Sequence, residues 1–133
     1  LGDYCKNISL RIQALEEIPP AEIKNEILRM TVMVQGQLKR VIDAYVTKNK
    51  DKALEVRNAD AAIDQHYQMI YNQIIEDIKS KPNKIKTLAN TKLLFTIKTI
   101  ERAGDHITNI AEEIFYTVTG EIITTPRPKG ESE

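Results

Sequence analysis

The 133-residue sequence predicts an all-α fold: an antiparallel three-helix bundle over residues 19–120, preceded by the end of another helix (residues 1–18) and followed by a flexible tail (residues 121–133). Three observations carry this prediction. Apolar residues recur at steps of three and four over long stretches, whereas no stretch alternates strictly, so the helical period is present and the strand period is not. Breaking residues fall between three long periodic segments, at Pro19-Pro20, Lys48-Asn49-Lys50 and Lys81-Pro82-Asn83. With five glycines and no tryptophan, the core must be built from Ile, Leu, Val and Met.

Taken in order, residues 1 to about 17 read as a helix end with Ile8, Ile12 and Leu15 on one side. Pro20 suits the first turn of the next helix, where its missing N–H has no partner to lose. That helix runs to about Thr47, with Ile23, Ile27, Met30, Val34, Leu38, Val41 and Tyr45 on its inner stripe. A second bundle helix, from about Asp51 to Ser80, carries Val56, Ala59, Ile63, Ile70 and Ile74. The third, from Lys84 to Thr119, is the most regular: Leu93, Ile97, Ile100, Gly104, Ile107, Ala111, Ile114 and Val118 alternate between steps of four and three. A sustained period of about 3.5 residues favours left-handed, nearly parallel packing of helix axes. Gly120 is placed to cap this helix. Short turns make the three helices antiparallel neighbours, and at about 1.5 Å per residue the longest reaches roughly 50 Å.

Nineteen basic residues balance nineteen acidic ones, which argues against a nucleic-acid partner, since such proteins show a basic excess or stripe. No apolar run approaches the ~20 residues that span a bilayer. The lone Cys5 cannot form an internal disulfide and fits a reducing, cytoplasmic setting.

One motif occurs twice. Gly2-Asp3-Tyr4-Cys5-Lys6-Asn7-Ile8-Ser9 aligns with Gly104-Asp105-His106-Ile107-Thr108-Asn109-Ile110-Ala111 as G-D-x-x-x-N-I. A repeat unit of this size with an incomplete first copy predicts that the chain is the C-terminal portion of a two-repeat protein. Residues 1–17, separated from their own bundle, would also suit pairing with a second copy, a homodimer.

The chemistry-bearing residues are carboxylates. Glu101, Asp105, Asn109 and Glu112 share a stripe beside the apolar seam of the third bundle helix, and Asp60 and Asp64 flank the seam of the second, continued by Tyr67 and Tyr71. Both pairs read [D/E]-x-x-x-D. Like charges one turn apart disfavour a helix by a few tenths of a kcal/mol. A hard cation between the helices turns that repulsion into ligation; a solvated charged face with Lys98 and Arg102 as partners describes the same spacing. Gly104 sits on the apolar seam, where glycine costs about 1 kcal/mol against alanine, and implies a close helix approach that would draw carboxylate edges together. His66 and His106 are isolated and lack a Glu-x-x-His pairing, Cys5 has no base nearby in sequence, and phosphate-loop, serine-elbow and zinc spacings are missing. No catalytic or organic-cofactor-binding residue is predicted, and the chain does not read as an enzyme.

Glu101-Arg-Ala-Gly-Asp-His-Ile-Thr-Asn-Ile-Ala-Glu-Glu113, running on to Tyr116-Thr-Val-Thr-Gly-Glu121, closely resembles the signature of the PhoU family. That signature is roughly E-R-I-G-D-H-A-T-N-I-A-E followed by Y-x-V-T-G-E. Leu1-Gly-Asp-Tyr-Cys-Lys-Asn-Ile-Ser-Leu-Arg11 looks like the matching segment of the family's first repeat, and Ala103 replaces the usual isoleucine or leucine. The resemblance implies two tandem three-helix bundles, of which this chain holds the end of the first bundle's third helix and all of the second. It further implies a cytoplasmic accessory of high-affinity phosphate uptake that negatively regulates the phosphate-starvation response. The partners implied are the ATPase of the phosphate ABC transporter and a membrane sensor histidine kinase, so that any membrane association is peripheral and through them. Multinuclear metal clusters, of iron or another divalent metal, occur in the family on [D/E]-x-x-x-D motifs, which Asp60, Asp64, Glu101 and Asp105 match. Asp3 matches the end of the first-repeat motif, whose glutamate would precede residue 1. A competing reading from another class is a carboxylate-bridged metalloenzyme or metal-storage bundle.

Overall fold

The computed structural model describes residues 1–14, 18–80 and 83–129. Helices α1 (Gly2–Gln13), α2 (Ala21–Thr47), α3 (Lys50–Ser80) and α4 (Lys84–Thr119) account for all regular structure among these residues, with no strand. The all-α bundle expected from periodicity is therefore the observed fold. Leu15 and the residues Lys81 and Pro82 of the third breaker lie outside the described residues.

The connections are set by capping chemistry. Lys48 closes α2 in the left-handed region (φ 48°), and the next residue, Asn49, already starts α3 by accepting from the backbone N–H groups of Asp51 and Lys52 at 2.9 and 3.0 Å. A two-residue link leaves the chain no path except back along α2. Asn83 caps α4 in the same way, accepting from Ile85 N at 2.9 Å and Lys86 N at 3.4 Å. Gly120 ends α4 at φ 72°, a conformation whose Cβ penalty glycine avoids. Pro20 takes the extended position flanking α2 rather than its first turn, a one-residue difference at a helix end.

α2, α3 and α4 pack mutually, whereas α1 touches α4 alone. The core falls into two clusters along the rod. Ile23, Met30, Ile63, Ile70, Ile74, Leu93, Ile97 and Ile100 fill one half; Val41, Ala44, Ala53, Val56, Ile107, Ala111 and Ile114 fill the other. Tyr45, expected on the inner stripe, is 69% exposed, and Ala44 takes its place at 0%. The tight α2–α3 turn accounts for the switch: Ala44 and Ala53, on either side of it, are both buried in the second cluster, where a tyrosine ring would need far more room than a methyl group. Val118 likewise lies largely outside the core.

α1 buries no residue completely. Ile8 packs against the first cluster while Ile12 stays exposed. Polar contacts hold the helix: the Arg11 guanidinium lies 5.7 Å from the Phe95 ring centre and donates to the Phe95 carbonyl and the Thr99 hydroxyl. Tyr4 meets His106 edge to face at 6.4 Å.

Candidate metal centre

The two core clusters are separated on α3 by Asp60 and on α4 by Gly104. A Cβ built on Gly104 would lie 3.2 Å from Asp60 Oδ1 and 3.4 Å from Ile63 Cδ1. The glycine thus clears the space into which the Asp60 carboxylate projects, which accounts for its presence inside a long helix despite its low propensity there. Around that point, carboxylate oxygens of Asp60, Asp64 and Asp105 all lie within 4.8 Å of one another.

Asp60 is only 5% exposed; Asp64 and Asp105 are half-buried. Among the described residues none of the three forms an ion pair. The electrostatic consequence is visible in their protonation. Burial, then the charge of Asp64, push the Asp60 carboxyl from 3.8 up to about 6; the Thr108 hydroxyl draws it partly back, and Asp105 raises it further. Asp64 is also raised, by burial first and then by Asp105 and Glu101. Concentrating like charge in a low-dielectric seam disfavours the ionised form, and among the described residues no base forms an ion pair with the three.

Glu101, the fourth carboxylate singled out in the sequence, is not in this group. Its Oε2 lies 2.7 Å from Lys98 Nζ, one turn away, and Lys98 in turn sits 5.2 Å from the Tyr67 ring centre. The contact is an ion pair of poor alignment, since the same oxygen lacks a partner of hydrogen-bond geometry. Asp3 is exposed on α1 and also lies outside the group. His66 Nε2 is 3.0 Å from Glu26 Oε2, between α2 and α3.

The remaining members of the α4 stripe belong to a second cluster that periodicity did not disclose. Arg57, 4% exposed, donates through Nε to Glu112 Oε1 at 3.0 Å. Arg127 donates to the same carboxylate from Nε at 2.9 Å and from Nη2 at 2.7 Å, and reaches Asn109 as well. The Arg127 hydrogen bonds hold the Glu112 carboxyl below its ordinary value against the effect of burial, with Arg57 helping. Arg57 precedes Asp60 by three residues, and that i,i+3 spacing is the one sequence signal for it. Arg127 lies in a non-periodic segment and had none.

Residues 27–114 match the family model described as the PhoU domain. The chain belongs to the PhoU family. Within it, this PhoU chain is 43% identical over 129 residues to a phosphate-specific transport system accessory protein PhoU homolog of Caulobacter vibrioides strain NA1000 / CB15N, which covers 96% of this chain and 55% of that protein. Homologs of the same name share 36% identity over 120 residues in Clostridium acetobutylicum (90% of this chain, 54% of the relative). In Rhizobium meliloti the figures are 35% over 130 residues (97% and 54%). The chain spans about half the length of these curated relatives. No solved structure matches it significantly. The PhoU match contains Asp60, Asp64, Glu101 and Asp105.

The donor set suits a hard divalent cation. All three converging groups offer carboxylate oxygen, which is the preferred ligand of Mg²⁺, Mn²⁺ and Fe²⁺. A buried, uncompensated aspartate opposite a glycine that makes room for it is what a site expecting an external positive charge requires.

Proposed function

We propose that this chain is the metal-binding part of a regulatory accessory protein of high-affinity phosphate uptake, which restrains the phosphate-starvation response by binding rather than by turnover. The partners are the ATPase of the phosphate ABC transporter and a sensor histidine kinase, met in the cytoplasm. Support for the role comes from relatives named as accessory proteins of phosphate-specific transport. No helix among the described residues is long and apolar enough to cross a membrane; in this reading the chain meets the membrane through such partners.

The observation that carries the metal part is the convergence of Asp60, Asp64 and Asp105 within 4.8 Å without a contacting base. Asp60, Asp64 and Asp105 would hold the ion or cluster, with Glu101 adjacent and available once Lys98 releases it. A bound dication supplies the positive charge that cancels their repulsion. Asp60 would then tie α3 to α4, and the α3–α4 surface would become a fixed face for a partner.

Metal analysis by inductively coupled plasma mass spectrometry tests this, comparing wild type with D60A/D105A. Stoichiometric metal in the wild type and none in the double variant is expected. Retention of metal by the double variant sinks the assignment. Regulation and partner binding that survive both D60A and E101A would separate the site from the signal. Metal-dependent turnover lost on D105A would favour the metalloenzyme reading instead.

A further inference from the structure

Residues 121–129 have no helix or strand, yet the segment turns back along α4 and is held at two points. One is a side chain: Arg127 makes a two-pronged ion pair with Glu112, at 2.9 and 2.7 Å, and donates to Asn109. The other is backbone: the Thr125 carbonyl accepts from Arg57 Nη2. Two-point attachment defines the register of the segment, and Arg57 belongs to the bundle itself, because it is 4% exposed and also donates to Glu112.

Two guanidiniums share one carboxylate, so this corner carries a surplus of positive charge. It sits on the same α3–α4 seam as the three aspartates. Arg57 is three residues before Asp60 on α3, and Glu112 seven after Asp105 on α4, roughly 5 and 10 Å along the helix axes, distances comparable to a Debye length of about 8 Å at physiological salt and well inside the roughly 30 Å of 0.01 M salt.

We propose that residues 121–129 are an internal counter-ion strap, anchored by Arg127 on Glu112 and by Thr125 on Arg57, which competes with a divalent cation for the Asp60–Asp64–Asp105 pocket. The proposal rests on the metal-binding reading above. The strap partly neutralises the acidic field that attracts a cation, and a seated cation repels Arg127 and Lys129. Linkage makes the two effects equal: whatever the strap subtracts from cation affinity, the cation subtracts from strap docking. The C-terminal segment therefore reports the metal state of the pocket on the outside of the bundle.

The test is a calorimetric Mn²⁺ titration of the full chain at low salt, comparing wild type, R127Q and the charge-matched control K79Q. Lys79 is exposed in the last turn of α3 and pairs only with Glu76 among the described residues. R127Q is expected to bind Mn²⁺ about fivefold more tightly, with K79Q unchanged. In the wild type, Mg²⁺ should release the Arg127 Nε–H proton from its protected state, followed as its side-chain NMR resonance. Equal Mn²⁺ affinity in wild type and R127Q, with that resonance indifferent to Mg²⁺, overturns the strap and leaves the metal site standing. An equal gain in K79Q reduces the effect to net charge and overturns it too. Failure of every variant to take up Mn²⁺ overturns both readings together.

Discussion

Two charged clusters lie a few turns apart on one helix–helix seam and solve the problem of buried charge in opposite ways. At Glu112, the carboxylate is met by Arg57 and Arg127 at 2.7 to 3.0 Å, and its ionised form is favoured. At Asp60, two further carboxylates crowd in, no base among the described residues forms an ion pair, and the ionised form is disfavoured, with the carboxyl near 6. Both clusters derive from acidic residues flanking the same apolar stripe. The difference is supplied from elsewhere: an arginine one turn earlier on α3, and a second arginine returned by the C-terminal segment. Acid spacing alone therefore does not distinguish a satisfied ion pair from a site in want of a cation; the opposing face does.

The comparison can be broken most directly at Gly104. Its missing side chain is what admits Asp60, and a Cβ alone would already stand 3.2 Å from Oδ1. G104L should destabilise the bundle by about 3 kcal/mol through overpacking, read by urea denaturation, and should abolish metal uptake. An unaltered midpoint would show that α3 and α4 do not approach as described.

Removing one charge from each cluster should then give opposite signs. D60N is expected to stabilise the metal-free protein by about 2 kcal/mol at pH 7, because it deletes a charge whose burial is unfavourable. E112Q should destabilise it by about 1 kcal/mol, since it leaves the Arg57 guanidinium buried with a poorer partner. Shifts of the same sign in parallel thermal melts would remove the contrast.

Acid provides a finer test on the unmodified chain. For Asp60 the folded value, about 6, lies above the ordinary 3.8; its favourable contribution is complete below 3.8 and is lost as pH rises through 6. Glu112 has a lowered folded value; its contribution is present above its ordinary range and is lost as pH falls through the folded value. The metal-free protein should therefore gain stability on going from pH 7 to about pH 4.5 and lose it once acidification passes below the ordinary Glu112 value of 4.5. Saturating Mg²⁺ should flatten the first limb and leave the second. A monotonic fall from pH 7 downward would contradict the assignment of Asp60.

The smallest effect is expected at Thr108, whose hydroxyl opposes the upward push on Asp60. T108V should cost about 1 kcal/mol at pH 7, and much less in a D60N background. A double-mutant cycle isolates that coupling; additivity would mean that the hydroxyl serves only the Gly104 carbonyl, to which it donates at 3.2 Å.

Much of the bundle was legible in the sequence because a 3.5-residue stripe states which face is buried, and Pro, Asn and Gly state where each helix stops. Gly104 was legible for the same reason: a costly residue on a buried seam demands a close neighbour. The i,i+4 spacing placed Asp60, Asp64 and Asp105 on facing edges. It could not show that Glu101, on the same edge, turns to Lys98, because that is a choice among rotamers made by a competing local partner. Tyr45 obeyed the step pattern and still faces solvent, since the tight turn at Lys48 and Asn49 favours alanine where the helices converge. Arg127 escaped notice because a segment without periodicity says nothing about where it docks.

The position of Asp60 and Gly104 between the two apolar clusters has a consequence for how the rod comes apart. A core interrupted by a charged layer is two short cores in series, and the cooperativity of unfolding is decided at the interruption. With the layer uncompensated, the Met30–Ile70–Ile97 half and the Val41–Val56–Ile107 half should differ in hydrogen-exchange free energy; equal values throughout would show that Val34, which packs against both, already joins them. Positive charge placed in that layer should narrow the difference, so that an ion held at a single point would couple the two ends of the helical rod.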